Sequence, residues 1–203
     1  MRRLIALLSL TTALLALGPV PAVAGGPNNL VVADATADLA GGPTIVTRQS
    51  MVVQSTGTDE LTSANVARAF AHDCTGCQAI AVAFQAVLVT GNPHIATPRN
   101  FAVAVNLRCD TCAAFAFAFQ YVVSTGGPAH LSPAGMLGVE ALREEVRNDL
   151  ATDLTPQDLK ARLDDVGARF KALVDAEIVR TGGHPGSGEL NEDADAAPAA
   201  AGV

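Results

Sequence analysis

Two stretches of 29 residues, which begin at Asn65 and Asn100, repeat one another without a gap at an offset of 35 residues. They share 14 identities, and each contains one Cys-x-x-Cys motif. A weaker copy begins at Asn29, where Asp38 and Gly41 replace the two cysteines. Repeats of this length are single supersecondary units that bury their apolar faces by stacking on their neighbours. The sequence therefore predicts three units, at residues 29–64, 65–99 and 100–131.

Each unit is predicted to form two β-strands around its central turn, because bulky and small residues alternate on both sides of the cysteines. In the third unit the bulky positions are Phe115, Phe117, Phe119 and Tyr121, and the small ones between them are Ala114, Ala116 and Ala118. A period of two is typical of strands, whereas the same bulky residues would be scattered around a helix. We therefore expect a repeat domain over residues 25–131, in which each unit is a β-hairpin and the hairpins form one sheet.

Each unit also contains an Asn and a Gln that are 20 residues apart. The pairs are Asn29 and Gln49, Asn65 and Gln85, and Asn100 and Gln120. A buried amide that is left without a hydrogen-bond partner costs about 1–3 kcal/mol. We therefore expect these amides to form a side-chain ladder between the units rather than a ligand site.

The pattern changes from strand to helix after the repeats, which predicts an α+β fold that is mainly β with an α-helical C-terminal part. Apolar residues spaced by three or four from Val139 predict a first helix that starts at about Gly138. Thr155 followed by Pro156 predicts the cap of a second helix, which should end at Gly182. We expect a helical hairpin over residues 132–182. It should cover one face of the repeat sheet, where small alanine side chains would permit close approach, and docking on a partner is the alternative. Residues 183–203 have little to bury and are predicted to be disordered.

The first 24 residues have the pattern of a secretory signal peptide. Arg2 and Arg3 precede an apolar run at residues 4–17, and Ala22-Val23-Ala24 supplies the small-x-small cleavage pattern. An apolar run of this length is too short to cross a bilayer, which needs about 20 residues. The sequence predicts a secreted, extracellular chain that has no membrane span after cleavage behind Ala24.

The charge of the chain argues against two classes of partner. The formal charge is −7, and without Arg2 and Arg3 the chain keeps 11 basic against 20 acidic residues. Nucleic acid and anionic lipid surfaces repel such a chain. We expect its partner to be an unknown protein of the envelope or the extracellular space.

The four cysteines are predicted to form two local disulfides, Cys74–Cys77 and Cys109–Cys112. The ends of a four-residue turn lie less than about 7 Å apart at Cα, and a disulfide needs about 4.4–6.8 Å. Cysteines of exported chains are more often paired in disulfides than free. If the units form a meander, equivalent turns lie about 9.5 Å apart, which is too far for disulfides between units.

Two other roles for the same four cysteines stay open. The spacing Cys-x2-Cys-x31-Cys-x2-Cys is compatible with a zinc site formed by Cys74, Cys77, Cys109 and Cys112. Thiol–disulfide exchange is the other alternative, although redox Cys-x-x-Cys pairs usually begin a helix, where the dipole lowers the thiol pKa. Here each pair lies between predicted strands, and Asp73 and Asp110 add negative charge that disfavours thiolates.

The sequence contains no recognisable catalytic constellation. None of its histidines begins a His-Glu-x-x-His motif, and none of Ser124, Ser132 and Ser187 lies in a Gly-x-Ser-x-Gly setting. We therefore expect a non-enzymatic protein without a cofactor, with zinc as the alternative.

The doubled segments "AHDCTGCQAIAVAFQAVLVTGNP" and "NLRCDTCAAFAFAFQYVVSTGGP", followed by "HLSP" and acidic helices, carry a family resemblance. The chain resembles, over about residues 29–180, an actinobacterial family of exported domains. Some members occur alone after a signal peptide, and others form the extracytoplasmic part of membrane proteins labelled peptide zinc metalloproteases. The resemblance implies no activity here, because the membrane helices and the His-Glu-x-x-His motif of such peptidases are missing from this sequence.

Overall fold

The computed structural model describes residues 29–38, 44–91, 93–181 and 188–199 of the chain. The predicted signal peptide, residues 1–24, lies outside the described residues. Within them the chain forms nine strands and two helices. In chain order these are β1 (Asn29–Asp38), β2 (Ile45–Gly57), β3 (Glu60–His72), β4 (Gln78–Thr90), β5 (Ile95–Leu107), β6 (Ala113–Ser124), β7 (Ala129–Leu131), α1 (Pro133–Leu150), α2 (Pro156–Glu177), β8 (Ile178–Arg180) and β9 (Gly188–Ala199). The expected fold class, mainly β with a C-terminal helical hairpin, is confirmed.

Each repeat contributes one strand to each of two sheets. The first sheet has the order β1-β3-β5 and the second begins β2-β4-β6, and all of these strands pair in parallel. The chain therefore winds through three stacked coils, in which each strand bonds to its equivalent in the next coil. The predicted hairpin pairing is wrong, because the two strands of one unit belong to different sheets. Strict alternation fixes which side chains share a face of a strand, but it does not identify the strand's bonding partner.

The small faces of the two sheets meet in the interior of the coil. This interior contains alanines from five strands, together with Val31, Cys74, Cys77 and Cys112. The small side chains allow the two sheets to approach closely, and the bulky side chains of the second sheet point the other way. Alanine therefore faces alanine across the coil.

The register of the first coil differs from the predicted alignment. β1 pairs Asn29 with Ser63 and β2 pairs Ile45 with Gln78, so neither strand keeps the predicted offset. β3 and β5 keep the offset of 35 residues that is predicted between the second and third units, and Asn65 aligns with Asn100. The predicted equivalence of Asn29 with Asn65, and of Gln49 with Gln85, is therefore wrong.

An amide ladder does connect the coils. Asn65 Nδ2 donates to Asn100 Oδ1 at 3.0 Å. Gln120 Nε2 donates to Gln85 Oε1 at 2.7 Å, and Gln85 Nε2 donates to Gln54 Oε1 at 2.8 Å. Gln54 thus takes the place in the first coil that was predicted for Gln49.

The two helices cover the bulky face of the second sheet, not an alanine face. α1 begins at Pro133 rather than near Gly138, because Ser132 caps it and accepts a hydrogen bond from the Gly135 amide at 3.0 Å. α2 begins after the Thr155 cap as predicted, but it ends at Glu177, before Gly182, where the chain enters β8 and pairs with β7. Within the described ranges, no helix has the length and apolar character needed to cross a membrane.

The tail prediction is wrong for β9, and the rest of the predicted tail lies outside the described residues. β9 pairs with β6 in antiparallel fashion. Asp195 also accepts a hydrogen bond from the Ala102 amide of β5 at 2.8 Å. The open edge of β6 offers backbone donors and acceptors that an extended segment can satisfy even when it has few apolar side chains.

Candidate functional site

The two Cys-x-x-Cys turns lie directly on top of one another at one end of the coil. Backbone hydrogen bonds continue between them beyond the strands, from Gly76 N–H to Asp110 O at 2.8 Å and from Asp110 N–H to Cys74 O at 3.1 Å. The Ala113 amide bonds to Cys77 O at 2.9 Å. Because the turns stack like the strands that precede them, equivalent cysteines become neighbours.

Three turn residues other than glycine have positive φ, which accounts for the sharp bends. Asp73 and Arg108 occupy the same place before the first cysteine of each turn, with φ of 54° and 47°. Gly76 takes the left-handed conformation, with φ of 69°, and Thr111 takes it at the equivalent place with φ of 53°. Positive φ is unusual for a β-branched residue. The third coil therefore repeats the backbone path of the second without its glycine.

The sulfur atoms within each turn lie at disulfide distance, as the local scheme requires. Cys74 and Cys77 are 6.1 Å apart at Cα, and Cys109 and Cys112 are 5.7 Å apart. Both separations fall inside the range that a disulfide accepts.

The sulfur atoms of the two turns also lie close to one another. Cys74 Sγ is 3.5 Å from Cys109 Sγ and 3.7 Å from Cys112 Sγ. The expected separation of the turns by two strand spacings is wrong, because stacked coils place them only one spacing apart. The geometric reason for excluding contact between the units therefore disappears, and all four cysteines belong to one cluster.

The cluster is buried on one side and open on the other. Cys77, Cys112 and Cys74 are at most 8% exposed and lie at the end of the alanine interior. Cys109 is half-buried. An open depression above the sulfurs is lined by Asp73, Cys74, Thr75, Arg108, Cys109 and Asp110. A small reagent or ion therefore has a path to the sulfurs from solvent.

An ion pair joins the two turns at the edge of this depression. The Arg108 guanidinium donates to both oxygens of Asp73, at 2.6 and 2.9 Å, and His72 Nδ1 lies 3.0 Å from Asp73 Oδ2. The hydrogen bond from Arg108, helped by that from His72, lowers the pKa of Asp73 to about 2. The same contact raises the pKa of Arg108. The Asp73 charge predicted beside the cysteines is therefore balanced by a cation.

The outer face of the first sheet is a second candidate site, which the sequence analysis missed. We define the outer patch as Val32, Val66, Phe70, Phe101 and Val103. Phe101 is 48% exposed and Val103 is 40% exposed, although both lie in a regular strand. Among the described residues, no helix or strand covers this face, whereas the helices cover the bulky face of the second sheet. The sequence carried the signal, because bulky residues alternate with small ones on the N-terminal side of the cysteines as well.

No family model, curated protein or solved structure matches this chain.

Proposed function

We propose that this chain is an exported, non-enzymatic binding module that presents the outer patch to a protein partner of the envelope or extracellular space. The observation that carries the proposal is the exposure of Phe101 and Val103 in a regular strand, where Phe101 is in line with Val66 of the second coil and Val32 of the first. Contiguous apolar surface of this kind often marks a site of protein interaction.

The contrast between the two sheets supports this function. Both sheets have one face of small side chains and one face of bulky side chains, and the two small faces are buried against each other in the coil interior. The bulky face of the second sheet packs on α1 and α2 through residues such as Phe119 and Phe170. The bulky face of the first sheet has the same kind of side chains without such a cover among the described residues, which favours an intermolecular contact.

The charges on the outer patch favour a protein over a purely apolar partner. Arg68 lies within the patch, between Val66 and Phe70 of β3 and opposite Val103, and it pairs with Asp34 of the first coil, with Nε to Oδ1 at 3.1 Å. Both side chains are nearly half exposed. Protein–protein interfaces combine apolar area with polar groups that form hydrogen bonds, as this mixed surface can.

In this proposal the disulfides Cys74–Cys77 and Cys109–Cys112 hold the turns at one end of the coil. They would limit fraying of the strands that carry the patch, and an oxidising compartment would maintain them. Their contribution is structural, so the chain needs no cofactor to bind its partner.

The function is tested by capture of envelope proteins on the immobilised mature chain, with two variants run beside the wild type. Phe101→Glu with Val103→Glu places two charges in the outer patch, and a specific partner should no longer be captured. Leu137→Glu is the matched control, because Leu137 is an apolar residue that is 72% exposed on α1, away from the patch.

The proposal requires that capture is lost only in the patch variant. Equal capture by the patch variant and the wild type would contradict it, as would equal loss in the Leu137→Glu control. Circular dichroism of all three proteins checks that the sheets are intact. If sedimentation shows that the wild type alone forms a dimer, the partner is a second copy of the chain. That copy then replaces the envelope protein in the proposal.

A further inference from the structure

We propose that the reduced form of the cysteine cluster is a binding site for one zinc ion, with Cys74, Cys77, Cys109 and Cys112 as its four ligands. This goes beyond the proposed function, in which the same sulfurs form two disulfides. The observation behind it is the close stacking of the two turns, which brings three of these sulfurs within 4.8 Å of one another.

The distances between the turns fit a tetrahedral thiolate site. Zinc binds thiolate sulfur at about 2.3 Å, so two sulfurs on one tetrahedral ion are about 3.8 Å apart. Cys74 Sγ lies 3.5 Å from Cys109 Sγ and 3.7 Å from Cys112 Sγ. The stacking of the coils thus supplies the contacts between turns, which are the part of a four-cysteine site that sequence spacing cannot provide.

The contacts within each turn are short-range and adjustable. The Cα atoms of Cys74 and Cys77 are 6.1 Å apart, and those of Cys109 and Cys112 are 5.7 Å apart. After reduction, rotation of the side chains can separate each pair of sulfurs while the backbone hydrogen bonds between the turns stay in place. The scaffold of the site is therefore present in the disulfide form.

The surroundings of the sulfurs suit a structural zinc site. Three of the four cysteines are almost fully buried, and the coil interior beside them is made of alanine. The depression that exposes Cys109 gives the ion a path of entry, and Arg108 lines it.

The exchange between the two forms balances in atoms and electrons. A dithiol reductant reduces each disulfide to two thiols and is itself oxidised to a disulfide, so two reductant molecules deliver four electrons and four protons. Zinc then replaces the four thiol protons, which are released to solvent. In the reverse direction two molecules of the oxidised dithiol, a disulfide, take up four electrons from the thiolates and four protons from solvent and return to dithiols. The four cysteines re-form their two disulfides and the zinc ion is released, so zinc and the disulfides exclude each other.

The proposal is tested on the mature chain prepared without a histidine tag. One sample stays oxidised, and another is reduced with a phosphine, which becomes the phosphine oxide, and is desalted without oxygen. The reduced chain should retain about one zinc per molecule after dialysis, and the oxidised chain less than about a tenth. Cobalt in place of zinc should give the thiolate charge-transfer bands of a tetrahedral sulfur site in the reduced chain alone.

Variants identify the ligands. Cys74→Ser with Cys109→Ser removes one sulfur from each turn and should abolish the cobalt thiolate bands. Asp110→Asn alters another residue of the same depression and should leave them unchanged. If the double variant does not fold, as judged by circular dichroism, Cys109→Ser removes only the half-buried ligand. It should weaken zinc binding at least about tenfold, since loss of even an outer-shell partner of a ligand costs about 10–100-fold in affinity.

Two results would overturn the inference. One is a reduced wild type that binds no more zinc than the oxidised chain. This includes a reduced chain that fails to bind zinc because its cysteines reoxidise to disulfides between the turns. The other is a Cys109→Ser variant with the zinc affinity and cobalt spectrum of the wild type. Neither result bears on the outer patch, so the binding function is judged separately.

Discussion

Gln120 donates a hydrogen bond to Gln85 at 2.7 Å, and both side chains are fully buried between the two sheets. Gln85 in turn donates a hydrogen bond to Gln54 of the first coil at 2.8 Å. The ladder therefore runs through all three coils, at right angles to the strands. It fixes which residues of neighbouring coils lie opposite each other, because a slip of one coil would leave buried amides without partners.

Gln85→Leu should destabilise the protein by about 1–3 kcal/mol, because leucine removes the central link of the ladder and takes a hydrogen-bond partner from the buried amide of Gln120 and the half-buried amide of Gln54. Urea unfolding of the variant and the wild type measures this difference. Gln78→Leu is the matched control in the same strand, because its side chain is only half-buried and lies outside the ladder. Its stability should lie within about 0.5 kcal/mol of the wild type. Equal losses in both variants would contradict a specific role for the ladder.

The sequence was sufficient to predict the repeat, its two strands and the existence of an amide ladder. It did not identify the bonding partners of the strands. Alternation in β3 and β4 is the same in a hairpin and in a stacked coil, and the difference depends on contacts between residues 35 positions apart. The exact identity of many residues at that offset was the available signal, since stacking places identical residues side by side.

The first coil and the helices illustrate two other limits. The offset between the first two coils is 34 residues from β1 to β3 and 33 from β2 to β4, not the 36 that matches Gln49 to Gln85. Matching by spacing therefore selected Gln49, which instead donates to the Arg143 carbonyl of α1 at 3.2 Å. The helical hairpin was predicted, but the face it covers was not, because the alanine faces were already used inside the coil. For the cysteines, the pairs within each turn followed from local spacing, whereas the contact between Cys74 and Cys109 required the stacking.

Gly167→Val should destabilise the protein by about 1–3 kcal/mol through overpacking. A Cβ at Gly167 of α2 would lie 2.8 Å from the Phe119 ring, closer than any unstrained contact. The ring cannot move freely, because Phe84 and Phe170 pack on it with centroid distances of 6.0 and 6.4 Å. Thermal unfolding of the variant measures the loss.

The control for this substitution is Gly57→Ala at the end of β2. Its new Cβ would meet Thr90 at 3.7 Å, which is ordinary van der Waals contact. A clear loss for Gly167→Val with little change for Gly57→Ala supports close docking of α2 on the sheet. A Gly167→Val variant as stable as the wild type would mean that the helices do not approach the sheet as closely as described.

Cys109→Ser with Cys112→Ser should lower the stability of the oxidised protein by about 2 kcal/mol, the chain-entropy value for a disulfide that closes a four-residue loop. Guanidinium unfolding with a chelator present measures the loss, and the chelator removes any contribution of bound metal. In reductant and chelator the wild type should lose more stability than the variant, because it has one more disulfide to lose. A variant that matches the oxidised wild type would show that this disulfide is absent or stabilises nothing.

Asp73 should stay ionised in the folded protein well below the ordinary aspartate range, since its hydrogen bonds with Arg108 and His72 lower its pKa from 3.8 to about 2. A lowered carboxyl pKa stabilises the fold fully above the ordinary value, and this stabilisation disappears as the pH falls from 3.8 through about 2. Carbon-detected NMR titration of the Asp73 carboxyl measures the pKa directly.

Arg108→Gln should raise the Asp73 pKa towards 3.8, because the largest cause of the shift is removed. Arg68→Gln, which breaks a similar ion pair on the outer face, should leave the Asp73 titration unchanged. An unchanged Asp73 pKa in the Arg108→Gln variant would contradict the contact between the two turns.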